Sequence, residues 1–100
     1  MDRLELQTVF ETILGSENVY FQAPGKQSMK YPAIKYNLSR MDGKRANNKR
    51  YTEETTYNVI LIDPDPESQF IKPLLELPYC KFDRAYVADN LNHTSFTIII

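Results

Sequence analysis

One cysteine and one histidine are the residues with which this chain of 100 residues could attempt nucleophilic catalysis. Cys80 supplies a thiol, His93 an imidazole, and Asp83 or Asp89 a carboxylate that could orient the ring, so a Cys-His-Asp set is formally available. No surrounding motif supports that set. Cys80 begins an alternating apolar segment, where a small buried thiol is the ordinary occupant, and His93 stands in a polar segment where a local hydrogen bond is the simpler role. We therefore predict no enzymatic activity.

Three acidic residues alternate with prolines at positions 63–67, a spacing that resembles the start of a calcium loop. Asp63, Asp65 and Glu67 would supply carboxylate oxygens, which calcium prefers as ligands. The intervening prolines and the missing glycine break the calcium-loop pattern, whereas the same segment is well suited to stop a strand and cap a helix, with Asp65 or Ser68 as the cap. There is also no glycine-rich phosphate loop, so we predict neither a metal site nor a cofactor.

The densest cluster of charge is the polar segment RMDGKRANNKR at residues 40–50, which holds five basic residues against Asp42. In one interpretation it is the solvated tip of a β-hairpin. In the other it reaches a neighbouring subunit or contacts a few phosphates without reading sequence. A later strand also carries aromatic and cationic residues typical of contact surfaces. The candidate partner-binding residues are Arg40, Lys44, Arg45, Lys49, Arg50, Tyr51, Arg84 and Tyr86.

Composition indicates a soluble single domain spanning residues 1–100, with 42% hydrophobic and 25% charged residues and a net charge of −1. Near neutrality argues against nucleic-acid binding driven by bulk charge and leaves little repulsion against self-association. The single cysteine excludes an internal disulfide and favours a reducing compartment. No segment has the apolar length of a membrane span or a signal peptide. We expect a protein that is made and kept in the cytoplasm unless it is packaged into a particle.

Two segments have the apolar period of an amphipathic helix. The first predicts a helix over residues 2–14, opened by Asp2 in a capping-box spacing and closed by Gly15. The second predicts a shorter helix over residues 69–77, which Pro73 limits by starting it late or bending it.

Alternation of apolar and polar residues predicts strands at 18–22, 29–38 and 51–62. The last two would form a long hairpin, with its turn at Asp42-Gly43 or at Asn47-Asn48.

The final segment, CKFDRAYVADNLNHTSFTIII, predicts a closing hairpin with a polar turn at residues 88–93. Strict alternation would put Phe82, Arg84 and Tyr86 on one face of its first strand and would point Asp83 to the other. The residues expected to bury this hairpin under the helix-covered face are Phe82, Tyr86, Ile98 and Ile100.

The predicted order α-β-β-β-α-β-β indicates an α+β fold. We expect a mostly antiparallel sheet of four to five strands with two helices packed on one face and a long projecting β-hairpin.

Four segments together resemble small structural proteins of tailed bacteriophages. They are NVYFQAP at 18–24, MKYPAIKY at 29–36, VILIDPDPES at 59–68, and FDRAYVADNLNH with the apolar strand that follows it. Similar proteins belong to the neck and tail-completion group, which includes tail terminators and head–tail joining proteins. The resemblance covers nearly all of the chain and implies a virion protein, assembled in the bacterial host cytoplasm. It also implies a homo-oligomeric ring, hexameric as in tail terminators, that contacts neighbouring neck and tail proteins close to packaged DNA.

A second hypothesis belongs to a different class of protein. The chain would then be a small regulatory binding protein, encoded by a phage or its host, that uses the basic 40–50 hairpin to contact a partner or DNA. Within the first hypothesis, the sequence does not separate a tail terminator from a head–tail joiner.

Overall fold

A computed structural model describes residues 2–22, 29–46 and 49–100, and for residues 42–46 and 49–53 it gives the backbone alone. The described chain is α+β, as predicted. Neither of its helices is long and apolar enough to span a membrane. The elements are α1 (Arg3–Leu14), β1 (Val19–Phe21), β2 (Ala33–Ala46), β3 (Lys49–Asp63), α2 (Ile71–Leu75), β4 (Cys80–Ala88) and β5 (Leu91–Ile99).

The five described strands form one sheet in the order β1-β2-β3-β5-β4. β1 pairs parallel with β2, and every other neighbouring pair is antiparallel. The prediction of a mostly antiparallel sheet is therefore confirmed.

Helix α1 begins and ends where its capping residues predict. The Asp2 carboxylate accepts the backbone N–H of Glu5 at 2.8 Å, which satisfies one of the free donors of the first turn. Gly15 closes the helix with a left-handed φ of 69°, and its N–H donates to the Glu11 carbonyl at 2.9 Å. The helix buries Leu6, Phe10 and Leu14.

Helix α2 is shorter than predicted, five residues instead of the nine of residues 69–77. Pro73 lies in its first turn, where its missing N–H costs least. The predicted capping residues do not cap it directly: Phe70 occupies the N-cap, and Ser68 Oγ accepts the Phe70 N–H at 3.3 Å one residue before the helix. Leu74 is its buried side chain.

Strand β2 begins later and runs further than predicted. The cis Tyr31–Pro32 peptide precedes it, and Pro32 has no N–H to donate to the ladder. The predicted turn at Asp42-Gly43 is wrong, because these residues pair with Glu54 and Glu53 of β3. The threonine-rich first half of β3 favours this pairing, since β-branched residues suit strands. The alternative turn, Asn47-Asn48, lies outside the described residues.

Alternate residues of the central strands point into one hydrophobic cluster, and the sheet surface that carries them is called the core face here. Side chains of both helices belong to the same cluster. Its buried members are Leu6, Phe10, Leu14, Val19, Ile34, Tyr36, Tyr57, Val59, Leu61, Leu74, Phe96 and Ile98.

Tyr36 connects α1 to the sheet. Its ring is fully buried and meets the ring of Phe10 edge-on at 5.2 Å between centroids. Its hydroxyl donates to Gln7 Oε1 at 2.6 Å and accepts from the Arg3 guanidinium at 3.2 Å. Gln7 Nε2 in turn donates to the Val19 carbonyl at 3.3 Å. Burial raises the pKa of Tyr36, although the bonded Arg3 opposes that rise.

The turn between β4 and β5 is shorter than predicted. It consists of Asp89 and Asn90, whose left-handed φ values of 52° and 62° suit a two-residue hairpin turn. His93 consequently lies within β5 and not in the turn, paired with Tyr86 on one side and Ile62 on the other.

A β-bulge in β4 changes which residues share a face. Phe82 pairs with Phe96, but Arg84 pairs with Ser95, so Asp83 is an extra residue between them. Phe82 therefore stays on the core face while Arg84 and Tyr86 lie on the opposite face. The prediction that these three share a face is wrong. The prediction that Phe82 and Tyr86 are buried under the helix-covered face is also wrong, because Phe82 is 45% exposed and Tyr86 lies on the other face.

The same bulge overturns the prediction that Asp83 and Arg84 point apart. The Thr97 hydroxyl donates to the Asp83 carboxylate at 2.6 Å. Thr97 alternates with the buried Phe96 and Ile98, so it lies on the same face as Arg84. Both charged groups consequently lie on one side of the sheet.

The last strand has the predicted alternation. Ile98 is buried in the core, with 1% of its surface exposed, and Ile100 packs against the same cluster. Ile99 points to the other face and is 36% exposed. Ile100 also exchanges two backbone hydrogen bonds with Thr55, at 2.9 and 3.1 Å.

Ile98 and Ile99 provide a matched pair that tests the burial of this strand. We expect Ile98→Ala to lower the free energy of unfolding by about 3 kcal/mol, because it removes buried methyl groups and leaves a cavity. Ile99→Ala should lower it by less than about 1 kcal/mol. Urea unfolding followed by circular dichroism measures both values, and equal losses would contradict the assignment of faces.

Candidate interaction surface

Cys80 and His93 do not meet in the structure. Cys80 starts β4 opposite Ile98 and packs against the core cluster. His93 pairs with Tyr86, six residues further along β4 and on the other face. At about 3.3 Å per residue, the two groups are on the order of 15–20 Å apart along the strand. The Cys-His-Asp set considered from the sequence is therefore not assembled in this fold.

The acidic segment 63–67 forms a turn that binds its own backbone. Asp63 accepts the Asp65 N–H at 2.9 Å and the Ser68 hydroxyl at 2.7 Å, and Asp65 accepts the Glu67 N–H at 2.9 Å. These contacts are typical of Asx turns that end a strand. Within the described ranges, no group of three or more His, Cys, Asp or Glu side chains is placed to hold a metal ion.

The sheet surface opposite the core face is named the polar face here. Three rows of cross-strand partners run across it, because residues paired directly between strands share a face. The rows are Lys35–Ile60–Ser95–Arg84, Ala33–Ile62–His93–Tyr86 and Asn37–Asn58–Thr97–Lys81.

Three side chains on the polar face form a stack. The Tyr86 and His93 rings are nearly parallel, with an interplanar angle of 20° and centroids 4.9 Å apart. The Arg84 guanidinium lies 4.6 Å from the centroid of the Tyr86 ring, a distance suited to a cation–π contact. Arg84 is exposed, and the two rings are half-buried. The stack is thus held in place by its own contacts and still accessible to a partner.

The orientation of His93 is set by its backbone contact. Its Nδ1 lies 3.1 Å from the Leu91 carbonyl oxygen, which can only accept. Nδ1 therefore carries the proton, and in the neutral ring Nε2 is left as an acceptor. This local bond was expected from the sequence, although His93 was placed in the wrong element.

The polar face has a small excess of positive charge. Within the three rows and the bulge beside them, Lys35, Lys81 and Arg84 stand against the carboxylate of Asp83, which the Thr97 hydroxyl holds. Beyond these rows, Arg40 and Glu54 add one charge of each sign to the same face. Lys35 and Arg84 end one row and lie three strands apart, about 14 Å at ordinary strand spacing. The surface therefore suits a partner that carries carboxylates and apolar groups.

The structure unites two of the predicted partner-binding residues, Arg84 and Tyr86, but not the others. Arg40 is exposed and pairs with Thr56 near the end of β5. The remaining candidates lie further along β2 and β3, and their side chains are outside the description. Lys44 pairs with Thr52, eight residues along β3 from Ile60 in the Arg84 row, so the backbone of Lys44 lies about 25 Å along the strands from that row. The remaining candidates are Lys44, Arg45, Lys49, Arg50 and Tyr51.

Residues beside the Arg84–Tyr86 pair escaped prediction. His93, Ser95 and Lys35 share its face, and the alternation of β5 already placed Ser95 opposite to the buried Phe96. Extending that alternation by one step to His93 would have found the ring. The bulge that brings Arg84 and Tyr86 to this face has no comparable sequence signal.

A groove lies between the two helices. Its volume is about 350 Å³, and α1 and the segment around α2 line it from either side. The lining residues are Thr8, Val9, Thr12, Ile13, Pro73, Glu76 and Leu77. The hydroxyls of Thr8 and Thr12 donate to carbonyls of their own helix, at 3.1 and 2.9 Å. The groove is consequently mostly apolar and carries a carboxylate at Glu76.

Comparison with known proteins adds no assignment: no protein-family model matches the chain, and no curated protein matches it.

The pKa of the Cys80 thiol tests whether this side chain is shielded from water. Desolvation, and to a smaller extent Asp83, raise the pKa of the thiol from 9.0 to about 11. A raised pKa means that the folded protein retains the proton, so the thiol's contribution to stability is complete below pH 9 and is lost as pH rises through about 11.

We expect the rate of alkylation by iodoacetamide to increase about tenfold per pH unit from pH 7 to 10, without a plateau. The same protein in urea, where the thiol is solvated, should reach a plateau near pH 9. A plateau below pH 8 in the folded protein would indicate an activated thiol and reopen the case for catalysis.

Proposed function

We propose that the chain is a non-enzymatic structural protein of a tailed-phage neck or tail, of the tail-terminator or tail-completion type. It works through protein–protein contacts in a ring at the head–tail junction or the tail end. The ring is hexameric by resemblance to tail terminators, and its neighbours are other neck and tail proteins. The sequence resemblance supplies this setting.

The observation that carries the proposal is the Arg84–Tyr86–His93 stack on the polar face. Arginine and tyrosine are enriched at protein interfaces, and an aromatic anchor that is already ordered loses little side-chain entropy on binding. A near-neutral chain also offers little electrostatic resistance to packing against copies of itself.

We further propose a particular arrangement of the layers. Both helices would cover the core face, as the shared cluster of Leu6, Phe10 and Leu74 supports. The distal parts of β2 and β3 would project beyond β5 as a long hairpin, because β5 ends at Ile99, opposite Thr56. The basic residues of that hairpin would then reach a neighbouring subunit or lie near packaged DNA.

The second candidate is a small regulatory binding protein, of phage or host, that contacts a partner or DNA through the basic 40–50 hairpin. What favours it is the local charge: five basic residues against one acidic residue within eleven positions.

Mass spectrometry of purified phage particles tests the first proposal. We expect several copies of the chain per particle, retained through a density gradient, at a ratio to the portal protein that suits a ring. A chain present in infected cells but absent from purified particles would contradict it.

Filter binding of duplex DNA over a salt series separates the two candidates. A structural protein should show no appreciable affinity at physiological salt, because only a few phosphates can be neutralised. Submicromolar binding there, lost when Lys44, Arg45, Lys49 and Arg50 are changed to serine, would favour the regulatory protein.

A further inference from the structure

We infer that copies of this chain associate head to tail, with the polar face of one copy covering the groove between α1 and α2 of the next. The inference deepens the proposed function and rests on it in one respect, the need for self-association. It identifies the two surfaces that meet, and they are different from each other.

The two surfaces have complementary charge. On the polar face, four cations stand against two carboxylates among the side chains that the structure describes. The helices and their capping residues have the opposite balance, with four acidic residues against two basic ones. The four acids are Asp2, Glu5, Glu11 and Glu76. Of these, Glu76 lines the groove itself. The Arg3 guanidinium is turned toward the Phe21 ring, 4.5 Å from its centroid.

The apolar parts of the two surfaces also match. The groove offers the side chains of Val9, Ile13, Pro73 and Leu77 in a volume of about 350 Å³. Two large apolar residues of the same helices stand in solvent, Leu4 at 64% and Leu75 at 41% exposure. The polar face offers the half-buried rings of Tyr86 and His93, together with Ile60. Aromatic rings that enter an apolar groove, with Arg84 near Glu76, would satisfy both surfaces.

The free edge of the sheet is a less suitable contact for a second copy. β4 is an edge strand, but the bulge at Asp83 interrupts its ladder. Lys81, Asp83 and Arg84 place charges along it. Bulges and charges are the devices by which edge strands avoid pairing with other chains.

A contact between two different surfaces is heterologous. The helices send their buried side chains into the core-face cluster, so the groove and the polar face lie on opposite sides of the sheet. Each copy therefore keeps one free surface of each kind after it has bound a neighbour. Repetition closes into a ring when the rotation between copies allows it.

Two charge-reversal variants test the inference, because each disables one surface only. Arg84→Glu alters the polar face, and the double change Glu5→Lys/Glu76→Lys alters the groove. Arg84→Lys keeps the charge of the first site, and the double change Asp65→Asn/Glu67→Lys alters two acids of the turn that belong to neither surface. All the altered side chains are exposed, and circular dichroism should confirm an unchanged fold.

Sedimentation velocity and native mass spectrometry give the readout. We expect the wild type to form species larger than a dimer as its concentration rises toward 1 mM. The polar-face and groove variants should each associate at least tenfold more weakly, while Arg84→Lys and the turn variant should resemble the wild type. An equimolar mixture of the polar-face and groove variants should associate again, at least to a 1:1 heterodimer, because one intact surface of each kind remains and the reversed charges at positions 84 and 76 are complementary.

Several results would overturn the inference. They are a wild type that stays monomeric at 1 mM, variants that assemble like the wild type, or a mixture that forms no heterodimer. Normal assembly of the groove variant beside a disabled polar-face variant would instead indicate two polar faces meeting symmetrically. The particle experiment is independent of these. Copies found in particles, with association unaffected by the variants, would leave the proposed function standing without this interface. Head-to-tail association of a chain that is absent from particles would support this interface and contradict the proposed function.

Discussion

The packing of Tyr36 is the interaction on which the rest of the fold depends. Its ring contacts Phe10 of α1, Phe21 of β1 and Tyr57 of β3, so three elements meet at one side chain. Its hydroxyl is shared between Gln7 and Arg3, which leaves the polar end of a buried residue satisfied. Since β1 is only three residues long, the helix could not be positioned by that strand alone. Tyr36 fixes α1 against the sheet and thereby determines where the outer surface of that helix lies.

A single extra residue, Asp83, determines the character of the opposite surface. Without the bulge, continued alternation from Phe82 would have placed Arg84 and Tyr86 on the core face. With it, Phe82 keeps its place beside Phe96, and the two following side chains reach the polar face. There the Tyr86 ring stacks on His93, and the Asp83 carboxylate accepts a hydrogen bond from the Thr97 hydroxyl. The bulge thus changes the side of the sheet to which β4 directs its even-numbered side chains, from the core face at Phe82 to the polar face at Arg84 and Tyr86.

Most of the fold was predictable because its local signals agree with its packing. The capping residues of α1, the short β1 and the buried alternation of β5 each carry their information within a few residues. Where prediction failed, the determining contact was distant or had no local pattern. The β4 bulge depends on the partner strand, the continuation of β2 past Gly43 depends on β3, and the length of α2 depends on how Pro73 is accommodated. The candidate site was likewise predictable only in part. Arg84 and Tyr86 were identified by residue type, whereas His93 was missed because it was assigned to a turn and not to β5.

The central strands of the sheet have one face covered by the core and one face that a monomer leaves partly open. Ile60, Tyr86 and His93 remain only half-buried, and a domain of 100 residues has little stability in reserve. Any contact that covers these side chains favours the folded state by mass action, because the unfolded chain cannot make it. Folding and association would then reinforce each other: the bulge that turns Arg84 to the polar face also creates the surface that the proposed association would cover. In a small protein of this design, the residues that complete the fold and those proposed to join the copies occupy adjacent positions of the same strands.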